Sequence, residues 1–419
     1  MPKLIQTLML LALLPAAAHA QHDHAATDSA RLRLGVGAHA VGLLTHATPM
    51  FLGESMTEGY LTQPTLMGGA ALFGGRLSAQ ATISLEALTL DRGELGAGSY
   101  GEGYVDRRHP HTYLHELVLT AMSDVGPVTA SATIGRGFAP FGTDDPMMRP
   151  FVKFPINHHL GQVLERLIAI GAVRRDMVIL EVGVFNGNEP FDAKDMGSVE
   201  RFADSWSARV TLLPVEGLEL QASRAYVVSP ELPSGGGWDQ RKWSVSARHE
   251  RDHSGGRVYL LGEWKRTTEV SRDNDVFTFG SVLGEASFTR GGWTPALRVE
   301  YTDRPEEERL MDPFRSPWPH GDTHLLGITK FTSAAVRIEK NVHVNALRLA
   351  PFIETSLLFV DAAEDGFFEP EGFYGGSRIW TLNAGLRVGI GAHHARMGRY
   401  GAAVPVTGSG HMQDETAHH

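Results

Sequence analysis

The feature that most constrains this chain is an apolar/polar alternation with a period of two, which returns from one end of the sequence to the other. In "RLSAQATISLEAL" Leu77, Ala79, Ala81, Ile83, Leu85 and Ala87 share one face, and Ser78, Gln80, Thr82, Ser84 and Glu86 share the other. "SWSARVTLL", "GLELQASRAY", "KWSVSARHE", "GWTPALRVEYT" and "IWTLNAGLRVGIG" repeat the pattern. Successive side chains of a strand point to opposite faces, so each run predicts a strand with one apolar and one polar side. Tight connections join many runs in pairs: "FGGR", "DVGP", "LPVEG", "HSGGR" and "RGGW". Longer polar segments alternate with them: 53–63, 91–108, 138–161, 187–204, 230–240, 303–322 and 361–377. Short turn, long loop, short turn is the rhythm of an all-β, transmembrane antiparallel β-barrel with short periplasmic turns and long extracellular loops. The runs predict about sixteen strands, between about 14 and 18.

Lipid demands such closure, because every backbone N–H and C=O must find a partner within the protein. Runs of about ten residues suffice to cross a bilayer at a tilt. Trp206, Tyr226, Trp243, Trp264, Trp293, Tyr301 and Trp380 sit near strand ends, where interfacial girdles form. The 47 glycines and a hydrophobic content of only 42% suit many turns and two-faced strands. The sequence has no cysteine, so disulfides stabilise nothing. A net charge of −10 argues against a nucleic-acid partner.

Residues 1–20 read as a signal peptide: Lys3, then apolar Leu4 to Leu14, then Pro15 and the small-residue site "AAAHA". Residues 21–30 are expected to be a flexible segment, 31–391 the barrel, and 392–419 a polar tail. By parity, Arg209, Arg248, Glu250, Glu263, Arg298, Glu300, Arg337 and Glu339 face the lumen. Mixed signs there predict weak ion selectivity.

The densest polar stretch is "DRRHPHTYLHEL", Asp106 to Leu117. As a strand it sets His109, His111, Tyr113 and His115 on one face. As a helix His111 and His115 again share a face, and Tyr113, Leu114, Leu117, Val118, Ala121 and Met122 fit helical spacing better than alternation. With His158 and His159 of the "NHH" pair, His109, His111 and His115 form a candidate metal set, for which imidazole suits Cu or Zn. The alternative is a structural belt of Asp106, Arg107, Arg108 and Glu116 with Arg149, Glu165 and Arg166. No zinc signature such as H-E-x-x-H occurs. Neither G-x-S-x-G nor a cysteine is present for nucleophilic catalysis, and the chain is not expected to be an enzyme.

The segments "GEGYVDRRHPHTYLHEL", "IGRGFAPFGTDDPMMRP", "INHHLGQ", "VFNGNEP", "DSWSARVTL" and "RMGRYG" together resemble an uncharacterised family of bacterial outer-membrane, porin-like proteins. Its D-R-x-H-P-H motif matches Asp106, Arg107, His109, Pro110 and His111. Its H-H pair matches His158 and His159, and its F-N-G-x-E-P element Asn186, Gly187, Glu189 and Pro190. The resemblance implies an outer-membrane barrel, and an association with copper and heavy-metal efflux. The function expected is a porin-like channel for small solutes or ions. The alternatives are a Cu- or Zn-binding accessory barrel in heavy-metal resistance and, less favoured, an enzyme embedded in a barrel. The partners expected are outer-membrane lipid, small solutes or metal ions, and further copies of the chain. Barrels of this kind usually end on a strand with a terminal aromatic residue. Here Tyr400 is followed by a polar segment that either folds back into the lumen or hangs in the periplasm.

Overall fold

A computed structural model describes residues 32–49, 53–90, 111–143, 145–190, 192–272, 274–303, 329–362, 369–391 and 396–405 of the protein. The signal-peptide and N-terminal segments read from the sequence lie outside the described residues.

The strands are β1 (Arg33–Thr48), β2 (Met56–Leu72), β3 (Leu77–Ser84), β4 (Leu114–Val125), β5 (Val128–Gly137) and β6 (Arg166–Arg175). They continue as β7 (Val178–Phe185), β8 (Ser205–Val215), β9 (Leu218–Val227), β10 (Asp239–His253), β11 (Gly256–Ser271) and β12 (Asn274–Thr289). The last are β13 (Trp293–Asp303), β14 (Thr329–Lys340), β15 (Val342–Val344), β16 (Leu347–Ala362) and β17 (Arg378–Gly391). Each pairs antiparallel with its neighbour, and β17 pairs with β1 over the register Gly37 to Thr48, which closes the sheet. β14 and β15 both pair with β16 and are one wall strand interrupted at Asn341, so the barrel has 16 strands.

Parity behaves as the alternation predicts. In β13, Leu297, Val299 and Tyr301 are exposed on the outer wall, while Arg298, Glu300 and Thr302 are buried inside. Among the described residues no helix is long and apolar enough to cross a membrane; crossing falls to the strands. Apolar outside and charged inside is the inverse of a soluble barrel, and this is an outer-membrane architecture.

Two expectations are corrected. Residues 56–63, read as loop from their polar content, belong to β2. The helical spacing around Tyr113 to Met122 belongs instead to β4. A bulge explains the second: Thr82 pairs with Glu116 and Ile83 with Leu114, so His115 is an extra residue. Consecutive His115 and Glu116 therefore both point inward and are buried, which breaks the two-residue period locally.

The lumen is filled by the chain itself. The connection from β5 to β6 turns inward and crosses it, with Phe138, Phe141, Phe151, Phe154 and Leu160 all buried. Residues 396–405, read as part of a polar tail, also lie inside, where Met397, Arg399, Tyr400, Ala402 and Ala403 are buried.

Candidate functional site

Wall glutamates hold the inward connection by its backbone. The Glu300 carboxylate accepts from Ile156 N at 3.0 Å and Asn157 N at 2.8 Å. Glu354 accepts from Val152 N at 3.0 Å and Lys153 N at 3.3 Å. Glu263 binds the connection through side chains: Arg149 at 2.6 Å and Thr143 Oγ1 at 2.7 Å, with Lys265 at 2.6 Å beside it. Arg298, paired with Glu285 at 2.7 Å, donates to the Lys153 carbonyl at 2.8 Å. Lys153 Nζ reaches the Tyr60 hydroxyl on β2. Gly142 makes the entry turn at φ +70°, and a Cβ there would stand 1.9 Å from the Gly161 carbonyl.

The C-terminal segment locks onto the opposite wall. Arg399, 1% exposed, donates to Glu181 at 3.2 Å, Thr211 at 3.1 Å and Glu219 at 2.7 Å, and Arg396 joins Glu219 at 3.1 Å. The Tyr400 hydroxyl donates to Glu116 at 2.7 Å and accepts from Phe138 N at 3.1 Å. Burial and the Glu116 carboxylate beside it keep this phenol protonated, well above its ordinary pKa. Arg209 ties both segments together: its guanidinium is bidentate to Glu181 at 2.6 Å and donates to the carbonyls of Gly142 and Gly398.

The other lumen candidates are paired as well. Arg337 contacts Glu339, which lies 3.8 Å from Arg387. Nearer the short-turn rim and partly exposed, Arg248 contacts Glu250, which also holds Arg257 at 2.5 Å. Parity reasoning did not single out Glu181, Glu219, Glu285, Glu354, Lys265 or Arg399. For Glu219 the signal was present, at a polar position of the alternating run "GLELQASRAY"; beside Glu181, Glu285 and Glu354 the inward neighbours Ile179, Leu283 and Phe352 are apolar, and no alternation marks these acids.

Of the belt expected of Asp106, Arg107, Arg108, Glu116, Arg149, Glu165 and Arg166, the described members take separate partners, and the inward connection carries Arg149 across to Glu263. Glu116 goes to Tyr400, Arg166 to Glu189 at 3.2 Å, and Glu165 to His115. Asp106, Arg107, Arg108 and His109 lie outside the described residues, as does the His159 side chain. His111 and His115 do meet, with ring centroids 4.8 Å apart, but each Nδ1 is taken by a carboxylate. His111 binds Glu86 at 2.6 Å, and His115 binds Glu165 at 2.8 Å. His158 Nδ1 instead bonds the Pro155 carbonyl at 3.0 Å. Among the described residues no three His, Asp or Glu side chains are grouped to hold a metal ion. Of the metal set read from the sequence, the described members His111, His115 and His158 each bond a carboxylate or carbonyl through Nδ1.

Burial opposes a charge on His111, but Glu86 beside it outweighs burial and raises its pKa from 6.5 to about 9. An imidazolium favoured by folding stabilises the native form fully below 6.5, and that stabilisation is lost as pH rises through about 9. The unfolding midpoint in denaturant should therefore fall over that interval. His111→Gln should remove the step; a variant that keeps it would assign the transition to another group.

No protein-family model matches the sequence, and no curated protein matches it. Solved structures do. The chain is similar to an anion-selective porin from Comamonas acidovorans (10% identity, TM-score 0.52, 86% of this chain and 100% of that chain). It is also similar to a loop-deletion mutant of OmpT, an outer-membrane protein of Vibrio cholerae (8% identity, TM-score 0.50, 86% and 100%). At such identities the likeness is one of fold: a porin-like, closed antiparallel barrel of the outer membrane.

Proposed function

We propose that the protein is a narrow outer-membrane channel for passive passage of small solutes or ions. The observation that carries this reading is the clasped connection. A porin-like wall surrounds a charged interior, and the β5–β6 segment is drawn across it by Glu263, Glu300 and Glu354. A constriction built from a loop bonded to wall charges sets size and selectivity in a pore. Most lumen charges are in ion pairs, which favours weak selectivity between cations and anions. Neither an enzyme site nor a metal centre has comparable support.

Liposome swelling tests the reading with solutes graded in size. Liposomes carrying the intact protein should swell in the smallest sugars or amino acids and resist larger ones. Equal rates for small and large solutes would contradict the constriction.

A further inference from the structure

The outer wall carries a feature that a solute channel does not use. On β10, Trp243 faces lipid, and its register partners are Arg224 on β9 and Arg266 on β11. All three are exposed on the outside of the barrel. The Arg224 guanidinium lies between two indoles, 4.7 Å from the Trp243 ring centroid and 5.7 Å from that of Trp206. Among the described residues neither Arg224 nor Arg266 has a carboxylate partner. The next outward arginine, Arg241, is neutralised by Asp275.

Arginine on a lipid-facing wall is costly toward the midplane and tolerated near the interface. This row lies in the half of the barrel nearer the long loops, which face outward from the cell. A guanidinium stacked on aromatic rings presents its planar fork, the geometry that matches phosphate oxygens.

Below the row the wall is concave. A cavity of about 470 Å³ is lined by Ala247, Leu260, Gly262, Gly284, Ala286 and Val299 among others, and its surface is mostly apolar. Gly262 lies four residues from Arg266 along β11, about 13 Å at the rise of a strand. A Cβ at Gly262 would meet nothing within 4 Å, so the depression opens to the lipid side. Between groove and arginines stands Trp264.

We propose that this face binds a phosphorylated lipid of the outer leaflet, its phosphate between Arg224 and Arg266 and one acyl chain in the groove. Hydrophobic burial does not select a lipid here, since neighbouring acyl chains are as apolar as the wall. Shape at the groove and charge at the arginine pair do.

The test is native mass spectrometry of the detergent-refolded protein titrated with diphosphoryl lipid A or its dephosphorylated form. The parent should retain diphosphoryl lipid A. Arg224→Gln with Arg266→Gln should weaken that complex at least about tenfold, since two charge-assisted contacts are lost, and leave the dephosphorylated lipid unchanged. Arg224→Lys with Arg266→Lys, which keeps the charge and loses the fork, should fall between. Gly262→Leu should weaken both lipids. Equal phosphorylated-lipid binding by the parent and the double glutamine variant would overturn the proposal. So would a parent that binds no lipid, or one that is an oligomer dissociated by Gly262→Leu, which would make this face a contact between copies.

Discussion

Replacing Glu300 and Glu354 together by glutamine should raise the single-channel conductance several-fold. Each carboxylate accepts two backbone N–H groups of the inward connection. A bond to an ionised acceptor contributes about 1.5–3 kcal/mol, more than its neutral counterpart. A glutamine offers one acceptor oxygen and turns its amide toward the second N–H, so each clasp loses a bond and gains a repulsive contact. Residues 152–157 should then leave the far wall and open the path beside β13 and β16. The barrel itself should persist, because its wall is held by strand pairing. Circular dichroism and altered gel migration on heating would verify that, while planar-bilayer recordings read the conductance. A folded double variant with the parent's conductance would show that this connection is not the constriction.

The second large effect lies on the outer wall. Val299 is 50% exposed to the lipid side, in the middle of β13. Arginine near the midplane of such a wall costs about 2–4 kcal/mol. Val299→Arg should therefore lose the heat-modifiable, membrane-inserted form, whereas Val299→Leu should keep it. The expected readout is the inserted fraction in isolated outer membranes. Insertion of the arginine variant at the parental level would reverse the assignment of inside and outside along this strand.

In β13 the side of the wall each residue takes was legible in the sequence, because a strand's period is local; on other strands apolar residues such as Val41, Leu261, Leu283 and Phe352 also face inward, against the alternation. Val299 and Glu300 could be assigned from their neighbours alone. Local irregularity was not legible: His115 and Glu116 both face inward only because β4 bulges against β3. Nor was the start of β2, whose Thr57, Glu58 and Thr62 look like loop residues until the strand has a partner. The filling of the lumen was the least accessible. Glu300 meets Asn157 across 143 residues, and Glu219 meets Arg399 across 180. Such pairs are set by where the chain turns inward, and they leave no periodic trace. For the same reason the histidine spacing was visible, and Glu165 stood among the polar residues read beside it, but the pairing of His115 with Glu165 and of His111 with Glu86 was not. The quoted segments nonetheless converge: Arg209 of "DSWSARVTL" binds Gly142 of "IGRGFAPFGTDDPMMRP" and Gly398 of "RMGRYG".

If a conducting path survives beside the segments folded into the lumen, the intact protein inserted in a planar bilayer at neutral pH should carry ion current. Small, steady unitary currents with weak preference between cations and anions are expected, unchanged by added Zn²⁺ or Cu²⁺. Silence from correctly folded, inserted protein, persisting when Glu300 and Glu354 are both glutamine, would contradict such a path.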